Sequence, residues 1–224
     1  MKRKFRNMSL IMCVMTLALV GCVNKLEIEN NDNNNGIESE VVSGSINGHE
    51  YVDLGLSVKW ATCNVDANAP HQRGYFYSWG EISTSSCYSI SNTKLYHKEV
   101  GDISGNPNFD VARAKWGSTW RMPTKPEMEE LKNKCTWKWT SINYVNGYKI
   151  IGPNGNSIFL PAGGFWYCTS RYCLGERGRY WCSTPGVNGP NNRRQAGHLN
   201  FGSRDCAVGS SERQYGYLVR PVSD

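Results

Sequence analysis

Beyond Lys149 the chain contains no lysine, and beyond Met128 no methionine. Past residue 20 no apolar run approaches the roughly 20 residues that a membrane-spanning helix needs. No run of five Lys or Arg occurs, and the net charge is only +6, so a nucleic-acid footprint has little support. Cys-x-x-Cys is absent and the four histidines are dispersed, which argues against a structural zinc site. Neither a Gly-x-Ser-x-Gly elbow nor a paired-carboxylate arrangement is present, so hydrolase chemistry finds no footing. No catalytic residue, metal ligand or cofactor site is assigned.

Residues 23–46 lack any aromatic residue and are rich in Asn, Glu and Ser. Such a segment cannot bury enough surface to offset its ordering entropy, and a flexible tether is expected over residues 22–46. Before it stand Lys2, Arg3, Lys4 and Arg6, a 13-residue apolar stretch from Met8 to Val20, then Gly21 and Cys22. A basic start, a short apolar run and a small residue at the cut are the parts of a secretory signal over residues 1–21. Leu19-Val20-Gly21-Cys22 resembles the lipobox of bacterial lipoproteins at all four positions, which implies lipidation of Cys22. Acyl chains contribute about 0.8 kcal/mol per buried methylene, so two or three would make a stable membrane anchor. Glu27 and Glu29 resemble surface-export signals of Bacteroidetes lipoproteins, implying an outer-membrane protein at the cell surface.

All eight tryptophans lie in residues 47–224, a stretch long enough for one substantial core. Its seven cysteines (Cys63, Cys87, Cys135, Cys168, Cys173, Cys182 and Cys206) are odd in number, so at least one stays unpaired. Short strands are expected at Tyr51–Leu56 and Val58–Val65, and an aromatic strand or tight loop at Gly74–Gly80. Residues 81–108 read as a long loop. Thr124-Lys125-Pro126-Glu127 is a capping box that opens a helix, with Met128, Leu131 and Cys135 on its apolar face. An earlier helix is expected at Asp110–Lys115. Tyr148–Ile151 and Ser157–Leu160 flank a Pro/Asn/Gly cluster and form a hairpin. Tyr217–Val222 makes a final strand. The fold class is α+β, loop-rich, with short antiparallel strands and one or two helices.

Tyr51–Leu56, Trp60–Val65, Tyr75–Glu81, Trp116–Thr124, Asn146–Tyr148 through Leu160–Gly163, Tyr180–Pro185 and Gly216–Val222 run in order across nearly all of 47–224. Together they resemble the Fibrobacter succinogenes major paralogous domain family. Trp120-Arg121-Met122-Pro123-Thr124-x-x-Glu127 and the closing Gly216-Tyr217-x-Val219-Arg220 also look like the C-type-lectin-like fold shared with formylglycine-generating enzymes. The resemblance implies a domain whose ends meet in one sheet, with a loop-rich ligand face near the C-terminus. Trp60, Trp79, Trp116, Trp120 and Arg121 read as core aromatics and a cap-side anchor rather than a catalytic set.

The C-terminal third is compositionally distinct. Residues 50–149 hold nine Lys and three Arg, whereas 150–224 hold eight Arg, and four cysteines crowd into 168–206. The variable proteins of diversity-generating retroelements resemble this pattern. Randomised adenines in Asn codons yield Cys, Arg, Tyr, Ser, His and Gly among other residues, but neither Lys nor Met. Glu176, Gln195, Glu212 and Gln214 fall outside pure Asn-codon variation, and drift in a tolerant surface loop is the alternative. The expected ligand face is 166–215, with candidate contacts Tyr172, Arg179, Tyr180, Asn192, Arg193, Arg194, His198, Asn200, Arg204, Asp205, Arg213 and Tyr215. The partners implied are the membrane, through the lipid, and a protein or glycan ligand.

Two other functions compete with binding. Cys168 and Cys173 are spaced like the copper-holding pair of formylglycine-generating enzymes, and paired thiolates suit Cu(I), although the surrounding sequence differs from that active site. A structural envelope or fimbrial component is the third reading. Calcium-dependent sugar binding is not expected, because Gly189-Pro190-Asn191 lacks the acidic ligand that calcium favours.

Overall fold

The strongest local signal in the chain becomes its longest helix. In a computed structural model, which describes residues 42–186 and 193–224, Thr124 accepts from Glu127 N and Glu127 reaches back to Thr124 N. The helix runs Lys125–Lys134 with Pro126 in its first turn, where no helical hydrogen bond is lost. Met128 and Leu131 are fully buried on its inner face. The leader, Cys22, the tether up to residue 41, and Asn192 lie outside the described residues.

In chain order the elements begin with β1 (Gly44–Ile46), β2 (His49–Val52) and β3 (Lys59–Ala61). Helices α1 (Val111–Trp116) and α2 (Lys125–Lys134) come next, then β4 (Thr136–Ile142), β5 (Val145–Ile151) and β6 (Ser157–Pro161). The chain closes with β7 (Phe165–Tyr167), β8 (Ser170–Tyr172), β9 (Arg177–Pro185), β10 (Gln195–Gly202), β11 (Asp205–Glu212) and β12 (Val222–Ser223). They form four small antiparallel sheets, ordered β1-β2-β3-β12, β4-β5-β6, β7-β8 and β11-β10-β9. The domain is thus a loop-rich α+β fold, and both of its chain ends lie in the first sheet.

Several boundaries differ from expectation. The folded part begins by Gly44, inside the segment expected to be tether, because β1 pairs with β2 in full register from Gly44↔Tyr51 to Ile46↔His49. β4 was not expected, yet it pairs with β5 through a two-residue turn at Asn143-Tyr144, both at positive φ (48° and 63°) as the twist of a tight hairpin requires. The last strand is only Val222–Ser223. Tyr217 and Leu218 instead make single bridges to Tyr77 and Tyr180, so the closing segment threads between sheets.

Residues 81–108 hold only a 3₁₀ turn at Ile90–Asn92. Side chains from elsewhere hold this loop down. Arg213, stacked 4.3 Å over Trp79, donates to Leu95 O and Lys98 O. Asp110 is fully buried and accepts four backbone amides: Ala112 and Arg113 at the start of α1, and Gly105 and Met122 across it. Burial raises the Asp110 pKa against the pull of those four bonds.

The main core gathers Trp60, Met128, Leu131, Ile150, Leu160, Tyr180, Leu199 and Phe201. A second gathers Trp79, Trp181, Tyr217 and Val219, and a third holds Trp116 and Trp120. Arg121, by contrast, anchors the α2 cap through a two-point ion pair with Glu127.

Candidate functional site: the outer face of the C-terminal sheet

The expected loops of 166–215 are for the most part strands. β9, β10 and β11 pair with His198 opposite both Trp181 and Gly209, and Asn200 opposite both Arg179 and Ala207. Directly opposed residues in a sheet share a face. One face therefore carries Tyr180, Cys182, Leu199, Phe201, Cys206 and Val208, and packs into the main core. The other carries Arg177, Arg179, Trp181, His198, Asn200, Asp205, Ala207, Gly209 and Ser211.

On this face, where Trp181 and Tyr217 are buried in the second core and Phe165 and Tyr215 pack against it, a network of rings surrounds one guanidinium. Arg179 lies 4.3 Å over Phe165 and 5.6 Å over Tyr217, and its Nη1 donates to Tyr217 Oη at 2.8 Å. Tyr217 Oη is also 2.7 Å from Ser211 Oγ. Trp181 and Tyr215 stack against Tyr217, Tyr172 stacks on Phe165, and Tyr167 meets Tyr215 edge-on. Three buried polar atoms of the face have no hydrogen-bond partner: Arg179 Nε, His198 Nδ1 and Asn200 Oδ1. Burial, and then the nearby Arg179, push the His198 pKa down to about 4, so its ring is neutral at pH 7. Burial raises the Tyr217 and Tyr215 pKa values, while Arg179 opposes both shifts.

Of the expected contacts, Arg179, His198, Asn200 and Tyr215 come together here, with Tyr172 exposed at the rim. Two are corrected to interior positions. Tyr180 is fully buried on the opposite face, donating to Pro161 O, because its register partner is Leu199. Arg213 is buried beside Trp79 as the anchor of the long loop. His198 also lies deeper than a surface contact, with 7 % exposure, and so forms part of the site's floor.

The remaining four sit at opposite ends of β10. Arg193 pairs with Glu99 at 2.6 Å, and Arg194 follows it just ahead of Gln195. Arg204 and Asp205 occupy the far turn, where Asp205 pairs with Arg177 at 2.9 Å. Seven strand steps of about 3.3 Å separate the two ends by about 23 Å, so the four cannot share a small ligand with Arg179.

Phe165, Tyr167, Ser211 and Tyr217 belong to the face but were not among the expected contacts. A period-2 signal was present in Arg177-x-Arg179-x-Trp181, His198-x-Asn200 and Tyr215-x-Tyr217, masked by the glycines and polar residues between them.

Cys168 is exposed and Cys173 half-buried; they flank β8, and both are free thiols in left-handed backbone (φ 52° and 53°). Among the described residues no three His, Cys, Asp or Glu side chains are grouped to hold a metal ion, and no helix is long and apolar enough to cross a membrane. A separate hollow of about 340 Å³ lies between Ser78, Glu81, Ser85 and Thr93 and contains none of the expected contacts. No family model matches the chain, and no curated protein or solved structure matches it.

Proposed function

We propose that this chain is an outer-membrane lipoprotein, anchored by a lipid on Cys22, that displays a C-type-lectin-like domain and binds a protein or glycan ligand on the outer face of β9–β11. The observation that carries the binding reading is the gathering of Arg179 Nε, His198 Nδ1 and Asn200 Oδ1, all buried and unpartnered, among aromatic rings on one face. Leaving a buried polar group unsatisfied costs about 1–3 kcal/mol, and such groups call for a role. The ordered sequence blocks support the major paralogous domain family, and the pairing of β3 with β12, which joins the chain ends, supports the lectin-like fold.

Retroelement diversification is part of the same proposal. Arg177, Arg179, His198, Gly209, Ser211 and Tyr215 are all residue types that randomised Asn codons yield. The inner face keeps Leu199, Phe201 and Val208 packed in the main core. On this reading, selection fixes the face that packs and varies the face that binds.

Anchor and display are tested together in intact cells grown with labelled palmitate. The full chain takes up label and is trimmed by protease added outside, whereas Cys22→Ser takes up none and leaves the membrane fraction. A Cys22→Ser chain that stays membrane-bound refutes the anchor. A near-copy of the 3′ coding segment beside the gene, with a reverse transcriptase gene nearby, is expected in the flanking DNA; complete flanking DNA with neither refutes diversification.

A further inference from the structure

Arg220 and Arg213, both fully buried, and the half-buried Arg179 differ in how their guanidinium edges are used. In Arg220, Nε donates to Asn64 Oδ1 and Nη2 to Phe159 O, both at 2.8 Å, while Nη1 takes Ala61 O and Thr62 O. Arg213 likewise spends Nε on Gln195 O and Nη1 on Leu95 O and Lys98 O. Arg179 uses Nη1 alone, on Tyr217 Oη. Its Nε is buried without a partner, and its Nη2 makes no hydrogen bond among the described residues. Nε and Nη2 form the side-on fork of a guanidinium, which matches the two oxygens of a carboxylate.

The surroundings narrow the ligand further. Asp205, the acid on the same face, is engaged by Arg177, so the Arg179 charge meets no counter-ion among the described residues. The polar neighbours are neutral. Asn200, opposite Arg179 in the register, presents an unpartnered amide that can turn its NH₂ toward an anion. His198 is uncharged at neutral pH and has an unpartnered Nδ1. One available cation among neutral donors suits a planar monoanion better than a phosphate dianion, which would call on a second charge. Phe165 lies under the guanidinium, with Tyr172 stacked on Phe165 and Tyr215 edge-on to it, and Tyr167 and Tyr172 are both more than a third exposed. Across it, Ala207 and Gly209 add almost no bulk, and a Cβ placed on Gly209 would meet only His198 Cε1 at 3.8 Å.

We infer that the outer face binds a carboxylate carried next to an aromatic or aliphatic group, with the Nε–Nη2 edge of Arg179 as the charged contact, Asn200 and His198 as flanking donors, and the Phe165/Tyr172/Tyr215 rings against the apolar part. This rests on the reading of the face as a binding surface and adds the chemistry of its ligand. Two sources present that chemistry: a free aryl acid, or a peptide ending in an apolar residue.

The test uses the purified full chain in detergent, following the Arg179 Nε–H resonance by NMR, assigned by its loss in Arg179→Lys. The probes are phenylacetate for a free acid, N-acetylphenylalaninate for a peptide end, the corresponding amides, and inorganic sulfate. Both carboxylates are expected to shift the resonance saturably, the amides to bind at least tenfold more weakly, and the tighter carboxylate to identify the source. Ring resonances report binding to the variants. Arg179→Lys and Gly209→Val should each weaken binding at least tenfold while the backbone spectrum keeps its fold, the second because a branched side chain fills the space beside His198. Amides binding as tightly as acids, sulfate displacing both acids, an unchanged affinity in Arg179→Lys, or no saturable shift up to probe solubility would each overturn the inference. Amides binding equally well would leave the binding-face reading intact, and failure of lipidation at Cys22 would not alter the NMR result.

Discussion

His198 ties the stability of the domain to pH through the floor of the candidate site. Its folded pKa is about 4, against the ordinary histidine value of 6.5, with burial the larger cause and the Arg179 charge the smaller. Between those two values the unfolded chain binds more protons at this residue than the folded one. Stability is therefore fully present above pH 6.5 and falls as the pH drops toward the folded pKa. At 1.36 kcal/mol per pH unit, the gap corresponds to about 3 kcal/mol, a large share of the roughly 5–15 kcal/mol that holds a typical domain together.

The measurement is urea unfolding of the wild type and His198→Gln at neutral pH and near pH 4. Carboxylates elsewhere titrate in both proteins and cancel in the comparison. The rings against His198 are Trp181, which has no titratable group, and Tyr217, whose pKa burial raises further from this range. The stability of the wild type relative to the variant should fall by about 3 kcal/mol on acidification. Parallel stability curves for the two proteins, or a titration of the His198 ring near 6.5, would show that the ring is not held neutral by the fold.

Other outcomes follow from contacts away from the site. Asp110→Asn should cost about 4 kcal/mol in urea unfolding, and Asp110→Ala, which loses all four bonds, should cost more. Both carboxylate oxygens accept two amides each, an amide NH₂ accepts none, and each lost bond to a charged group is worth about 1.5–3 kcal/mol; a loss under about 1 kcal/mol would refute this account of the cap. Gly152→Ala should lower the melting temperature, because the new Cβ would lie 2.1 Å from Leu54 O, and an unchanged value would refute the close approach. Under native conditions a thiol reagent should modify exposed Cys168 quickly and leave Cys182 untouched until unfolding, since burial pushes the Cys182 thiol up to about 12; mass spectrometry of the labelled peptides reads the order.

Local chemistry made part of this protein legible before any fold was known. The capping box at Thr124 and Glu127 places the start of α2 within one residue, because both of its hydrogen bonds close inside a single turn. The helix begun at Asp110, and the β5–β6 hairpin around Gly152–Asn156, are local in the same sense. The eight tryptophans announced a core, and five of them lie in the buried clusters while the other three pack against one.

The candidate site was legible only in composition. An Arg- and Tyr-rich, Lys-free segment pointed to the right third of the chain, but alternation along a strand says which residues share a face and not which face is buried. That choice was made by partners remote in sequence. Helix α2 and the β4–β6 sheet cover Tyr180, Leu199 and Phe201, the 81–108 loop claims Arg213, and the threaded segment 215–218 brings Tyr215 and Tyr217 over Arg179. Sequence alone determined the local hydrogen bonds and the residue types available; the tertiary structure decided which of those side chains lie inside the domain and which line its outer face, because burial is a property of the neighbours a strand acquires and not of the strand itself.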